Sequence, residues 1–178
     1  MRVAVAAARA RNTTLSQNAR LFALLNMAAN DSAMAAWDAK AHFELWRPIT
    51  AIRLAILDGN PLTAEQAGWT PLLLTPPYPD YTSGNQSLGG AYYTVLTAFF
   101  GSSMRVEAYS DALGQGVVRR FSNFLGVADD ALNARIYAGI HFRSAMRDTR
   151  VVAAQIAAYV MSHAAQPIHG NRVGQLRK

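Results

Sequence analysis

From Leu15 onwards, apolar residues recur at three- and four-residue spacing, with Leu21, Phe22, Leu24, Leu25 and Ala28 on one face. A half-buried α-helix imposes that period. A second helix is expected over NDSAMAAWDAKAHFELW (30–46), with Asn30 or Asp31 as its N-cap and the Arg47-Pro48 step as its end or kink. The stretch ITAIRLAIL resumes the periodicity, and Asp58-Gly59-Asn60-Pro61 stops it. Residues 61–86 hold five of the seven prolines and two glycines, too much punctuation for a helix, and read as the long loop of the domain. Apolar periodicity returns in LGGAYYTVLTAFF, and a further helix is expected over 103–124. In DDALNARIYAGIHF the acidic pair favours a helix N-terminus, and Gly139 marks where the regular path can break. TRVVAAQIAAYVMSHA is a last amphipathic helix. With no repeat and no convincing alternating strand, the reading is an all-α helical bundle, one domain over 1–178 with flexible tails at about 1–13 and 166–178.

Composition narrows the function classes. No apolar run reaches the roughly 18 residues that a membrane span needs, so a transmembrane segment is not expected. MRVAVAAARARN is a poor signal peptide, and the compartment stays open. The chain has no cysteine, which excludes disulfides and thiolate metal sites. Its net charge of +6 owes much to Arg2, Arg9, Arg11, Arg172, Arg177 and Lys178 at the two ends. No basic run interleaves with aromatics, so a nucleic-acid partner is not expected and a small anion fits as well.

Three stretches can carry chemistry: KAHFELWRP (40–48), YTSGN (81–85) and ARIYAGIH (134–141). On one helix, the seven residues from Lys40 to Arg47 turn through about 700°, which brings both cations to nearly the same face. Ser83 and Gly84 precede an apolar helix. Ser83 can simply cap it, or it can donate a hydroxyl to an oxyanion that Gly84 lets approach the backbone. Arg135 and His141 are about 120° out of register on an unbroken helix, and converge only if the helix ends near Gly139. Tyr78 and Trp46 can wall such a site, although aromatics beside a bundle core are commonly plain packing.

In this order and spacing the blocks resemble the superfamily of vanadium-dependent haloperoxidases and type 2 phosphatidic acid phosphatases. Its pattern is Lys-x6-Arg-Pro, Pro-Ser-Gly-His and Ser-Arg-x5-His-x3-Asp. The wording of WDAKAHFELWRPITAIR and PPYPDYTSGNQSLGGA is closer to the bacterial haloperoxidase-like branch. The resemblance covers about residues 21–165.

It implies vanadate, or phosphate in its place, held by Lys40, Arg47, Ser83, Gly84 and Arg135, with His141 bonded to the central atom. In the haloperoxidase scheme Lys40 assists while peroxide oxidises a halide. In the alternative scheme His141 is the nucleophile on a phosphate ester and a phosphohistidine forms. The resemblance also implies a longer protein, or a protomer that covers its helix faces as a homodimer.

The sequence departs from the pattern at Thr82, Ala134, Asn85 and Ala145. Asn85 stands where the family has its acid-base His, and an amide cannot transfer protons. Ala145 removes the carboxylate that orients a histidine. Asp148 is a candidate replacement for that carboxylate, whereas His42, about 200° round a helix from Lys40, is a poor substitute for the missing His. The expectation is a complete anion cup with defective proton transfer, either an impaired enzyme or an oxyanion-binding relative of one.

Overall fold

The computed structural model describes residues 1–109, 114 and 116–166. The chain forms helices α1 (Arg2–Ala10), α2 (Leu15–Phe43) and α3 (Pro48–Arg53), then a single 3₁₀ turn at Ala55–Leu57. A long loop leads to α4 (Gly84–Phe100), the strands β1 (Val106–Tyr109) and β2 (Val118–Phe121), and then α5 (Phe124–Tyr137) and α6 (Arg143–His163). Helices α2, α4 and α6 pack on one another, α5 lies against α4, and α1 touches β1. Leu21, Leu24, Leu25, Ala91, Val95, Phe124 and Ala157 are fully enclosed between them. The helical bundle expected from periodicity is the fold.

The expected boundary at Asn30 and Asp31 is absent, because α2 runs unbroken through both. Its buried positions Leu21, Leu25, Ala28, Ser32, Ala36 and Lys40 form one continuous stripe, which leaves Asn30 on the outer face where a polar residue breaks nothing. A capping box starts the helix instead: Thr14 accepts from Gln17 N–H, and the Gln17 side chain returns the bond to Thr14 N–H. Residues 2–10, expected within a tail, form a helix that buries Ala4, Ala7 and Ala8. Most of the expected C-terminal tail, from residue 167, lies outside the described residues.

The helix expected over 103–124 is replaced by an antiparallel pair in which Val106 faces Phe121 and Tyr109 faces Val118. β-branched and aromatic residues in both strands favour this pairing, and Gly116, at φ 83°, adopts a backbone that a helix cannot. Residues 110–113 and 115 of that stretch are outside the described set. Helix α5 begins at Phe124, not at the acidic pair: the Asn123 side chain caps it by accepting from Gly126 N–H at 2.8 Å.

Between α4 and α6 the approach is close, since a Cβ on Gly90 would sit 3.0 Å from Ala153 Cβ. That proximity sets the start of α4 beside Thr149 of α6, whose Oγ1 accepts from Ser83 N–H at 2.7 Å.

Candidate functional site: an anion cup

The buried stripe of α2 ends on Lys40, only 2% exposed. Its ammonium donates to the carbonyls of Pro79 (2.6 Å) and Asp80 (3.1 Å). Three residues later the helix stops at Phe43, and Glu44 turns left-handed at φ 45°. Lys40 and Arg47 therefore do not share a helix: Arg47 is the extended N-cap of α3, with Pro48 in its first turn. The two cations nevertheless converge on one loop, for Arg47 Nε donates to Tyr78 O at 2.8 Å and Nη1 to Ile140 O at 2.7 Å. The Tyr78 ring lies beside both, 5.1 Å from Lys40 Nζ and 4.9 Å from the Arg47 guanidinium carbon, at cation–π range. Trp46 has no comparable contact with these cations.

Between Arg135 and His141 the helix breaks as the glycine suggested. Gly139 takes φ 73°, Gly139 N–H bonds to Ile136 O, and Ile140 N–H to Arg135 O, which together make a Schellman ending. The proline-rich loop seats itself on this ending. Leu72 N–H bonds to Ala138 O at 3.0 Å, and Trp69 and Pro71 press on Gly139 where a Cβ would meet them at 2.9 and 3.2 Å. The same loop thus touches the connection that carries His141 and supplies the carbonyls that hold Lys40 and Arg47.

His141 sits between two of these groups. Its Nε2 is 3.1 Å from Arg47 Nη1 and its Nδ1 is 2.7 Å from Asp80 Oδ1. Asp80, fully buried, also accepts from Phe142 N–H through Oδ2 at 3.3 Å and lies 3.5 Å from Arg47. Sequence reasoning missed Asp80, whose sole signal was a lone carboxylate in the run PPYPD. Asp148 does not fill the vacated role: it is 42% exposed and faces Arg147 at 3.8 Å. Ala145 is buried, and His42 is exposed and packs edge-on against Phe43.

Ser83 N-caps α4 by accepting from Gln86 N–H at 3.4 Å, so the capping role is met. Gly84 and Asn85 occupy the first turn, where backbone N–H groups have no helical partner, and a Cβ on Gly84 would meet nothing within 4 Å. Asn85 Oδ1 accepts from Gln86 Nε2 at 3.3 Å. Arg135, half-buried, makes no side-chain hydrogen bond or ion pair among the described residues. The structure therefore joins Lys40, Arg47 and His141 directly and places Ser83, Gly84 and Asn85 on the adjoining turn. Arg135 stands on the last turn of α5 with no side-chain hydrogen bond to any of them.

Burial, reinforced by the Arg47 charge and opposed by Asp80, lowers Lys40 to a pKa of about 8. Burial is also the main influence lowering Arg47 and His141, with the Asp80 carboxylate pulling His141 the other way.

An oxyanion fits this donor set. Arg47 Nη2 is buried without a partner, and the space over Gly84 is open. Among the described residues no group of three His, Asp or Glu side chains clusters as around a bare cation.

The model of the VCPO second helical-bundle domain matches residues 20–170. The chain belongs to that family. Within it, the chain is 32% identical over 102 residues to the vanadium chloroperoxidase of Curvularia inaequalis, covering 52% of this chain and 16% of that protein. It resembles the crystal structure of the first bacterial vanadium-dependent iodoperoxidase at 29% identity and a TM-score of 0.78, over 93% of this chain and 38% of that one. The apo form of a bacterial vanadium-dependent chloroperoxidase, at 19% identity and a TM-score of 0.63, covers 80% of this chain and 35% of its own and shares the fold. This family domain thus spans well under half of each of these relatives. It stands on the haloperoxidase-like branch, and among its described residues no helix is long and apolar enough to cross a membrane.

Proposed function

We propose that this chain binds vanadate, or phosphate in its place, and serves a haloperoxidase-type reaction in which peroxide oxidises a halide. The observation that carries the reading is the convergence of Lys40, Arg47 and His141 from three separate segments beside the α4 N-terminus. In this reading Lys40, Arg47 and Arg135 neutralise the oxyanion, while Ser83 and the Gly84 N–H add hydrogen bonds. His141 offers the Nε2 lone pair to the central atom. Arg47 Nη1 lies 3.1 Å from that nitrogen, where its guanidinium would donate to the oxygens of a bound anion. Bound vanadate supplies the activation of peroxide.

Asn85 favours a second reading alongside the first. With an amide where the family has its proton-transferring His, binding outlasts turnover, and the chain acts as an oxyanion-binding domain with slow chemistry.

Calorimetric titration of anion-free protein with orthovanadate tests the shared core of both readings. Saturable binding is expected in the wild type and none in His141→Ala. Wild-type affinity in a Lys40→Ala, Arg135→Ala double variant would refute the assignment of the cup.

A further inference from the structure

Arginine has no acceptor atom, so its Nη1, 3.1 Å from His141 Nε2, can only donate, and Nε2 must present a lone pair. A neutral imidazole carries one N–H, which is then on Nδ1, 2.7 Å from Asp80 Oδ1. Nδ1 and Oδ1 are both buried and neither makes a hydrogen bond to any other group; their 2.7 Å contact is a close approach that is not aligned as a full hydrogen bond. The carboxylate is itself anchored. Its residue donates N–H to Leu45 O at 2.8 Å, its carbonyl receives Lys40, and Oδ2 takes Phe142 N–H. The Arg47 guanidinium is farther from Oδ1, at 3.5 Å, so charge balance with Arg47 is the lesser contact.

We propose that Asp80 is the positioning residue of this site, fixing His141 as the Nδ1–H tautomer so that Nε2 offers its lone pair to the anion. It takes over from the loop the orienting task left open by Ala145 on α6. The inference rests on reading the Lys40–Arg47–His141 cluster as an oxyanion cup.

Asp80→Asn keeps the shape, removes the negative charge and presents Nδ1 with a donor as well as an acceptor. The same substitution in a Ser-His-Asp triad yields the wrong tautomer, and loss of a residue orienting a ligand histidine typically weakens binding about 10- to 100-fold.

The experiment combines long-range ¹H–¹⁵N imidazole spectra of the anion-free protein near neutral pH with orthovanadate titration of wild type and Asp80→Asn. His141 is assigned by its loss in His141→Gln. Wild type should show a protonated Nδ1 and a bare Nε2. Asp80→Asn should lose this single-tautomer signature and bind vanadate about 10- to 100-fold more weakly.

A wild-type His141 protonated on Nε2 overturns the proposal whether or not the variant folds. Unchanged affinity in Asp80→Asn overturns it too, as does weakened affinity with an unchanged imidazole signature, which would reduce Asp80 to charge balance. If the wild type binds no vanadate, the cup reading fails on its own, and the signature in the two proteins still decides the role of Asp80.

Discussion

Lys40 is one of two lysines in the chain, Lys178 being the other, and burial lowers it from 10.5 to about 8. A base with a depressed folded pKa binds fewer protons in the native state than in the unfolded chain, so stability rises with pH between those two values. The slope is at most about 1.4 kcal/mol per pH unit, and from pH 7.5 to 9.5 the integrated gain is about 2 kcal/mol. His141 and Tyr93 act outside this window. His141 is lowered from 6.5, so its similar contribution is complete below neutrality. Tyr93, raised from 10.0 by burial, favours unfolding only as pH passes that value.

Urea unfolding of the anion-free protein, followed by tryptophan fluorescence at pH 7.5, 8.5 and 9.5, measures the effect. The wild type should gain stability across the series while Lys40→Met stays flat. A flat or falling wild-type curve, or a variant that rises in parallel, would refute the claim that the buried ammonium is the source. Saturating phosphate, by favouring the charged form, should flatten the wild-type curve.

Gly139→Ala puts a Cβ at φ 73° and within 2.9 Å of Trp69 Cη2. A loss of about 2–4 kcal/mol is expected, read as a fall in Tm of roughly 5–10 °C in a thermal melt, and an unchanged Tm would show that the loop does not depend on this contact. Asn85→His restores a proton-transferring side chain at the start of α4 and, on the proposed function, should raise any vanadate-dependent halide oxidation by about 10²- to 10⁴-fold. An unchanged rate in a variant that still binds vanadate would place the defect outside residue 85.

Local signals in the sequence determined the bundle and named the residues proposed for the cup. The 3.6-residue period built α2, α4 and α6, and the ordered Lys40, Arg47, Ser83-Gly84, Arg135 and His141 marked the family. Gly139 announced the break that separates Arg135 from His141, since a Schellman ending needs a residue tolerant of positive φ.

Tertiary packing decided the rest. Asn30 and Asp31 are good caps in isolation, yet the stripe from Leu21 to Lys40 buries a face that only an unbroken helix can keep aligned. The strands at Val106–Tyr109 and Val118–Phe121 stabilise each other by pairing, which neither segment encodes alone. Lys40 and Arg47 meet through loop carbonyls and not along one helix.

Asp80 reaches His141 across 61 positions because the proline-rich loop docks on the α5 ending at Ala138 and Gly139. Helical periods and caps act over three or four residues and are written in the order of the side chains. The partner of a buried imidazole is set by which distant loop the core brings against it, and that contact exists only once the chain has folded.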